Sequence, residues 1–224
     1  MDNLPTQPST TAGAFWLDTI TRMASSEGSE RRPTRQEELR WQFVRLRKSV
    51  HESMKAEEEE RLKENPKPTE QELYMGAFRE WLEPQVREAM FEMFRKGYAT
   101  QSSGFHGTKC QHQTVDGYFT IDENTKSALK AVGVEVLGGA DFGAPLNTHI
   151  SILRFTGAEP SVEALKKQWD AVAAALPEKK LPEGIRPITD RAEEFRSEFA
   201  PEHPSLEKAR QAYFKFVSSP AYRR

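Results

Sequence analysis

The sequence predicts an α+β fold, a small and mostly antiparallel sheet whose elements follow the order β-β-α-β-β-α over about residues 98–176, flanked by N-terminal and C-terminal helices. Three observations carry that expectation. Apolar residues recur at steps of three and four up to about residue 97, which is helical spacing. From Tyr98 to Phe155 the pattern changes to short β-rich runs separated by Gly and Ser. A strongly amphipathic stretch then starts at Ser161.

Residues 1–33 are rich in Ser, Thr, Pro and Gly and read as a flexible tail. Phe15, Trp16, Ile20 and Met23 are spaced to share one face of a short helix within it. Residues 34–97 form a helical region. Thr34 can make a capping box with Glu37, and Leu39, Phe43, Leu46, Val50 and Met54 then form one apolar stripe. Beyond Met54 the run KAEEEERLKE reads as a solvated extension that Pro66 and Pro68 end. A second box, Thr69 with Glu72, opens a helix whose buried side is Leu73, Phe78, Trp81 and Leu82. Pro84 suits the first position of a new helix, so a break is expected there. That helix continues through Val86, Met90, Met93 and Phe94 to Gly97, a left-handed stop.

Residues 98–177 form the α+β core. Tyr98 to Phe105 is β-like, interrupted at Ser102-Ser103-Gly104, and Tyr118 to Ile121 is a second strand. Asp122 caps a short helix through Leu129 that Gly133 closes. Val134–Leu137 is a third strand, and glycines 138, 139 and 143 mark a turn-rich loop. Thr148–Phe155 is the best strand, with Ile150, Ile152 and Arg154 on one side and His149, Ser151, Leu153 and Phe155 on the other. Val162, Leu165, Trp169, Val172 and Leu176 then line a helix that Pro177 stops. Residues 178–224 hold a polar loop and short helices near 189–198 and 204–218. Residues 34–224 are expected to form one unit, in a ferredoxin-like or split β-α-β arrangement.

Of the 224 residues, 37% are hydrophobic and 29% charged, so a core is expected over part of the length only. Thirty-two basic residues against 34 acidic ones, a formal charge of −2, disfavour a dedicated nucleic-acid binder. Arg31, Arg32, Arg35, Arg40, Arg45, Arg47 and Lys48 are diluted by Glu30, Glu37 and Glu38 and read as a solvated helix face. A lone cysteine, Cys110, excludes an intramolecular disulfide and suits a reducing compartment. With no secretory pattern and no apolar run of spanning length, a soluble cytoplasmic protein without a membrane is expected.

Chemistry-bearing residues gather between Gly97 and Phe155. His106, Cys110 and His112 place three zinc-preferring side chains within seven residues, and zinc is the one metal they suggest. Two H-x-T/S units, His106 with Thr108 and His149 with Ser151, each put an imidazole and a hydroxyl on one side of a strand. Together they would supply a base, an acid and two hydroxyls around a phosphate. THISILRF resembles the second motif of the two-histidine phosphoesterases, which implies action on 2′,3′-cyclic phosphates or 2′-5′ linkages. The first unit departs from that family by Gly107, and the units stand 43 positions apart. The segment FHGT is also similar to the His-Gly-Thr segment of ADP-ribosyltransferases, although TKCQHQTVDG follows where a helix is expected. The glycine-rich run 138–143 lacks the lysine of a phosphate-binding loop and reads as a turn. Tyr98, Phe105, Tyr118 and Phe119 would stack bases if the sheet exposed them, as in an RNA-binding module, and fill the core otherwise. The leading expectation is a binding or accessory protein acting through protein–protein contacts or as a homo-oligomer. A phosphoesterase-like hydrolase is its rival.

Overall fold

In the computed structural model the described residues are 32–108, 110–138, 149–199 and 206–222. The chain divides into two units, Met1–Thr34 and Arg35–Arg224, and all the described helices and strands lie in the second. The apolar tail residues from Phe15 to Met23, the glycine-rich loop after Gly138 and the start of the 204–218 helix lie outside the described residues.

Helix α1 runs Arg35–Glu64, 30 residues and so about 45 Å long. Its stripe behaves as the spacing predicts: Phe43 and Val50 are buried, and Leu39, Leu46 and Met54 pack partly buried against the same core. Helix α2 (Glu70–Met75) opens with the expected reciprocal Thr69–Glu72 box. It ends earlier than expected, because Gly76 takes a left-handed φ of 66°. A Cβ there would stand 2.8 Å from the Ala192 nitrogen, so a chain approach from much later in the sequence sets that boundary. Phe78 therefore lies outside α2, at the entry to a single 3₁₀ turn, Arg79–Trp81. Helix α3 (Pro84–Arg95) has Pro84 in its first turn. Gly97, at φ 91°, closes it, and the Tyr98 N–H reaches back to the Met93 carbonyl at 2.9 Å.

The sheet comprises β1 (Ala99–His106), β2 (His112–Tyr118), β3 (Glu135–Gly138) and β4 (Ile150–Thr156), with helix α4 (Glu123–Ala131) between β2 and β3. Its order is β1-β2-β4-β3, and every neighbouring pair is antiparallel. Strands β2 and β3 each oppose β4 and so run parallel to one another. With α4 between them they form a split β-α-β unit. A ferredoxin-like succession is absent, because the first two strands form a hairpin.

Two strand expectations need correction. β1 runs unbroken through Ser102–Gly104, and its irregularity falls between Thr100 and Ser102, leaving Gln101 as the extra residue of a bulge. Gly117 lies opposite: a Cβ there would meet the Ala99 carbonyl at 2.1 Å. The second strand precedes Phe119 rather than containing it. Phe119 instead buries its ring edge-on to Tyr98, with centroids 5.4 Å apart, and so fills the core from a loop.

Asp122 and Ser161 cap α4 and helix α5 (Val162–Ala175) through the backbone N–H groups of Thr125 and Ala164. Val115, Leu153 and Phe155 occupy one side of the sheet, with Phe155 against Trp169 at 4.8 Å. α3 packs along α5 and against β1, which closes the core on that side. Helices α6 (Ala192–Phe199) and α7 (Leu206–Val217) complete the described chain. α7 buries Tyr213, whose hydroxyl donates to the Tyr118 carbonyl at 3.1 Å. Among the described residues no helix is long and apolar enough to cross a membrane.

Candidate functional site

The β1–β2 hairpin separates the residues expected to bind zinc. His106 pairs with His112, and His112 with Thr156, whose hydroxyl stands 3.2 Å from His112 Nδ1. Phe105 points into the core, so alternation sends His106 and its cross-strand partner to the other side. Cys110 goes the opposite way. It is buried within the core cluster, and among the described residues it alone combines a side chain with a positive φ, 57°. An Arg47 Nη1–H points at its sulfur from 3.8 Å, and the thiol faces the carbonyls of Gly107 and Thr108. The set His106, Cys110 and His112 is thus split across the sheet. Among the described residues no group of three His, Cys, Asp or Glu side chains is arranged to hold a metal.

The two H-x-T/S units are held apart by register. Along β2, His112 faces Thr156 and Tyr118 faces Ile150, so His106 and His149 stand at opposite ends of the sheet, about 20 Å apart along the strands. Thr108 is exposed in the hairpin loop. Ser151 lies on the core side, and its hydroxyl donates to the Phe119 carbonyl at 2.6 Å. No single phosphate spans that separation. The aromatic residues considered for base stacking are mostly core: Tyr98, Phe105 and Phe119 are buried, and Tyr118 packs edge-on to Phe214 at 4.8 Å.

A polar cluster that the sequence did not announce lies where α1, α3 and β1 meet. Glu83 precedes Pro84 but makes no capping bond. One carboxylate oxygen accepts the Phe105 N–H at 2.9 Å and the Gln85 amide at 2.6 Å, and the other lies 2.9 Å from His51 Nε2. Gln85 also donates to Gln113 at 3.3 Å. Gln85 Oε1 and Gln113 Nε2 are buried with no protein partner. Gly104 makes room for this seat, since a Cβ there would come within 1.9 Å of the carboxylate. The arrangement fixes a half-exposed imidazole against a buried carboxylate, an ion pair whenever His51 is protonated. Gly104, which the sequence presents as a strand interruption, is the one visible trace of that seat.

A groove of about 1020 Å³ lies between α2, the end of α3 and residues 178–187. Lys179 lines it. Its ammonium donates to the Thr120 carbonyl at 2.8 Å and stands 4.9 and 4.7 Å from the ring centroids of Tyr98 and Tyr222. Burial pushes its pKa down to about 8, against the opposing pull of Asp122.

Helix α1 divides its circumference between two uses. The apolar stripe from Leu39 to Met54 belongs to the chain's own core. The acidic extension is anchored rather than free in solvent. Arg61 grips Glu72 and Glu80 at 2.9–3.0 Å, Glu57 pairs with Arg87 at 2.7 Å, and Glu58 accepts the Trp81 indole N–H at 2.9 Å. The opposite side of α1 carries Trp41, Arg45, Lys48, Glu52, Lys55, Glu59 and Leu62, at alternating steps of four and three, and every one of them is exposed. Trp41 and Leu62 are 50% and 59% accessible, large values for side chains of their kind. Comparison with family models, with curated proteins and with solved structures finds no match for this chain.

Proposed function

We propose that this chain is a binding protein that acts through protein–protein contacts made by the outward row of α1. One observation carries the reading. A 30-residue helix, fastened along its inner side by core packing and by Arg61, Glu57 and Glu58, holds Trp41 and Leu62 outward at the two ends of a charged row. A lone exposed apolar residue calls for no explanation, but two large ones aligned on one rigid row are a feature of contact surfaces. The anchoring also fixes the geometry of the row before any partner arrives, which lowers the entropy lost on binding.

The test is a photo-crosslinking side chain in place of Lys55, with the same group in place of Lys130 on α4 as the control. Adducts to a second polypeptide at position 55, and none at 130, support the reading. Absence of any polypeptide adduct at position 55 in the cell of origin overturns it.

A further inference from the structure

We infer that His106 and His112 together form an open, two-imidazole site for a divalent ion of the zinc class. Its basis is the register of the same hairpin that sends Cys110 away from both histidines. The site lies on the side of the sheet away from the core and shares no residue with the outward row of α1.

Placement of the donors comes first. His106 and His112 are direct cross-strand partners, the pair that closes β1 onto β2. Residues so paired hold their Cβ atoms about 4.5–5.5 Å apart and turn their side chains to the same side. Zinc–nitrogen bonds measure about 2.0–2.1 Å, so two facing rings at that spacing can close on a single ion. His149 stands at the far end of the sheet, and His51 sits on α1 against Glu83.

Orientation is the second observation. Thr156 flanks His112 on β4, and its hydroxyl stands 3.2 Å from Nδ1. A bond at Nδ1 fixes the plane of the ring and makes Nε2 the ligating atom, which is the outer-shell arrangement of metal-binding imidazoles.

The surroundings are the third. His106 and Thr156 are exposed and His112 is half-buried, so an ion reaches the pair from solvent. Asp116 lies on the same side of β2. Burial raises its pKa, and the charge of His106 is among the opposing pulls, so carboxylate and imidazole are within electrostatic reach of one another. A negative charge at that range favours a cation on His106. Arg154, opposite Thr114 on the next strand, is offset by Glu135 at 2.7 and 3.0 Å.

Imidazole donors select zinc, copper and nickel over the oxygen-seeking magnesium and calcium ions. Among the described residues no third His, Cys, Asp or Glu is arranged to complete the set. Water or a donor from an incoming molecule therefore takes the remaining positions. Structural zinc sites are closed by four protein ligands, so this half-filled one binds reversibly and holds no part of the fold.

The experiment is calorimetric titration of the full chain with zinc chloride, with magnesium chloride as the control. One zinc per chain is expected to bind at submillimolar concentration, and magnesium is expected to give no binding heat. His106→Ala and His112→Ala each remove one of the two donors and should weaken zinc at least about tenfold. His51→Ala, away from the pair, should leave the affinity unchanged, and the Tm of each variant without metal is compared with the parent. In NMR spectra zinc should shift the ring signals of His106 and His112 at the same ratio of ion to chain. Zinc that fails to bind below millimolar concentration overturns the inference. So does an affinity that both folded histidine variants retain, a loss caused equally by His51→Ala, or ring signals of the two histidines that respond at different ratios.

Discussion

Arg61→Met tests whether the acidic second half of α1 is held down by one guanidinium. Arg61 donates to both oxygens of Glu72 at 3.0 Å, to Glu80 at 2.9 Å and to the Lys67 carbonyl at 3.1 Å. Removing one partner of a buried ion pair costs about 3–5 kcal/mol. Two features place this site at the lower end. The Arg61 side chain is 22% exposed, and Glu72 keeps the Thr69 N–H, the Thr69 hydroxyl and the Arg79 N–H as donors. The expected loss is about 3 kcal/mol, or roughly 6–12 °C in Tm for a chain of this size. Burial alone would raise the pKa of Glu72, but the bonds from Arg61, Thr69 and Arg79 outweigh it and hold the pKa below its usual value. A carboxylate with a lowered folded-state pKa stabilises fully above its unfolded value and loses that contribution as pH falls through the folded one. The gap between parent and variant should therefore shrink on acidification below about pH 4.3. Urea unfolding at pH 7 and at pH 4 measures both quantities. A loss under about 1 kcal/mol at pH 7, or a gap that widens at pH 4, refutes the anchoring argument.

Three further substitutions probe the remaining polar groups. Glu83→Ala strands the Phe105 N–H and the Gln85 amide, at an expected cost of about 2–3 kcal/mol, whereas His51→Ala removes a half-exposed partner and should cost under about 1; equal losses in urea unfolding would contradict the assignment of Glu83 as the hub. For Lys179, a folded-state pKa near 8 lies below the unfolded value, so the unfolded chain binds the extra proton between about pH 8 and pH 10.4 and stability should rise with pH across that window. Lys179→Met should flatten this rise in thermal melts, and an unchanged slope would show that the amine is not the titrating group.

Features set by neighbours in sequence are legible in the order of the residues themselves. The Thr69–Glu72 box, the Asp122 and Ser161 caps, the Gly97 stop and the Leu39–Met54 stripe each depend on residues a few positions apart, and each forms as the spacing predicts. Features set by remote chain are not. Gly76 ends α2 because Ala192 closes on it, and the placement of Phe78 and Trp81 follows from that. Strand β2 reads as polar because Gln113 and Thr114 are buried by pairing with strands on both sides, which no local pattern encodes. The histidines group by closeness in sequence, but a hairpin sends His106 and Cys110 to opposite sides, and register sets His149 at the far end. Glu83 gives no local signal, because a glutamate before a proline resembles an ordinary helix entrance.

The seat of Glu83 governs how the sheet meets the outside world. Strand β1 is a border of the sheet, and borders invite recruitment of foreign strands through their dangling amide and carbonyl groups. Here the Phe105 amide is already taken by a side chain of the same molecule, and the bulge at Gln101 twists the stretch beside it out of line. The Glu83 seat therefore closes one of that margin's amides to an incoming strand from within the molecule.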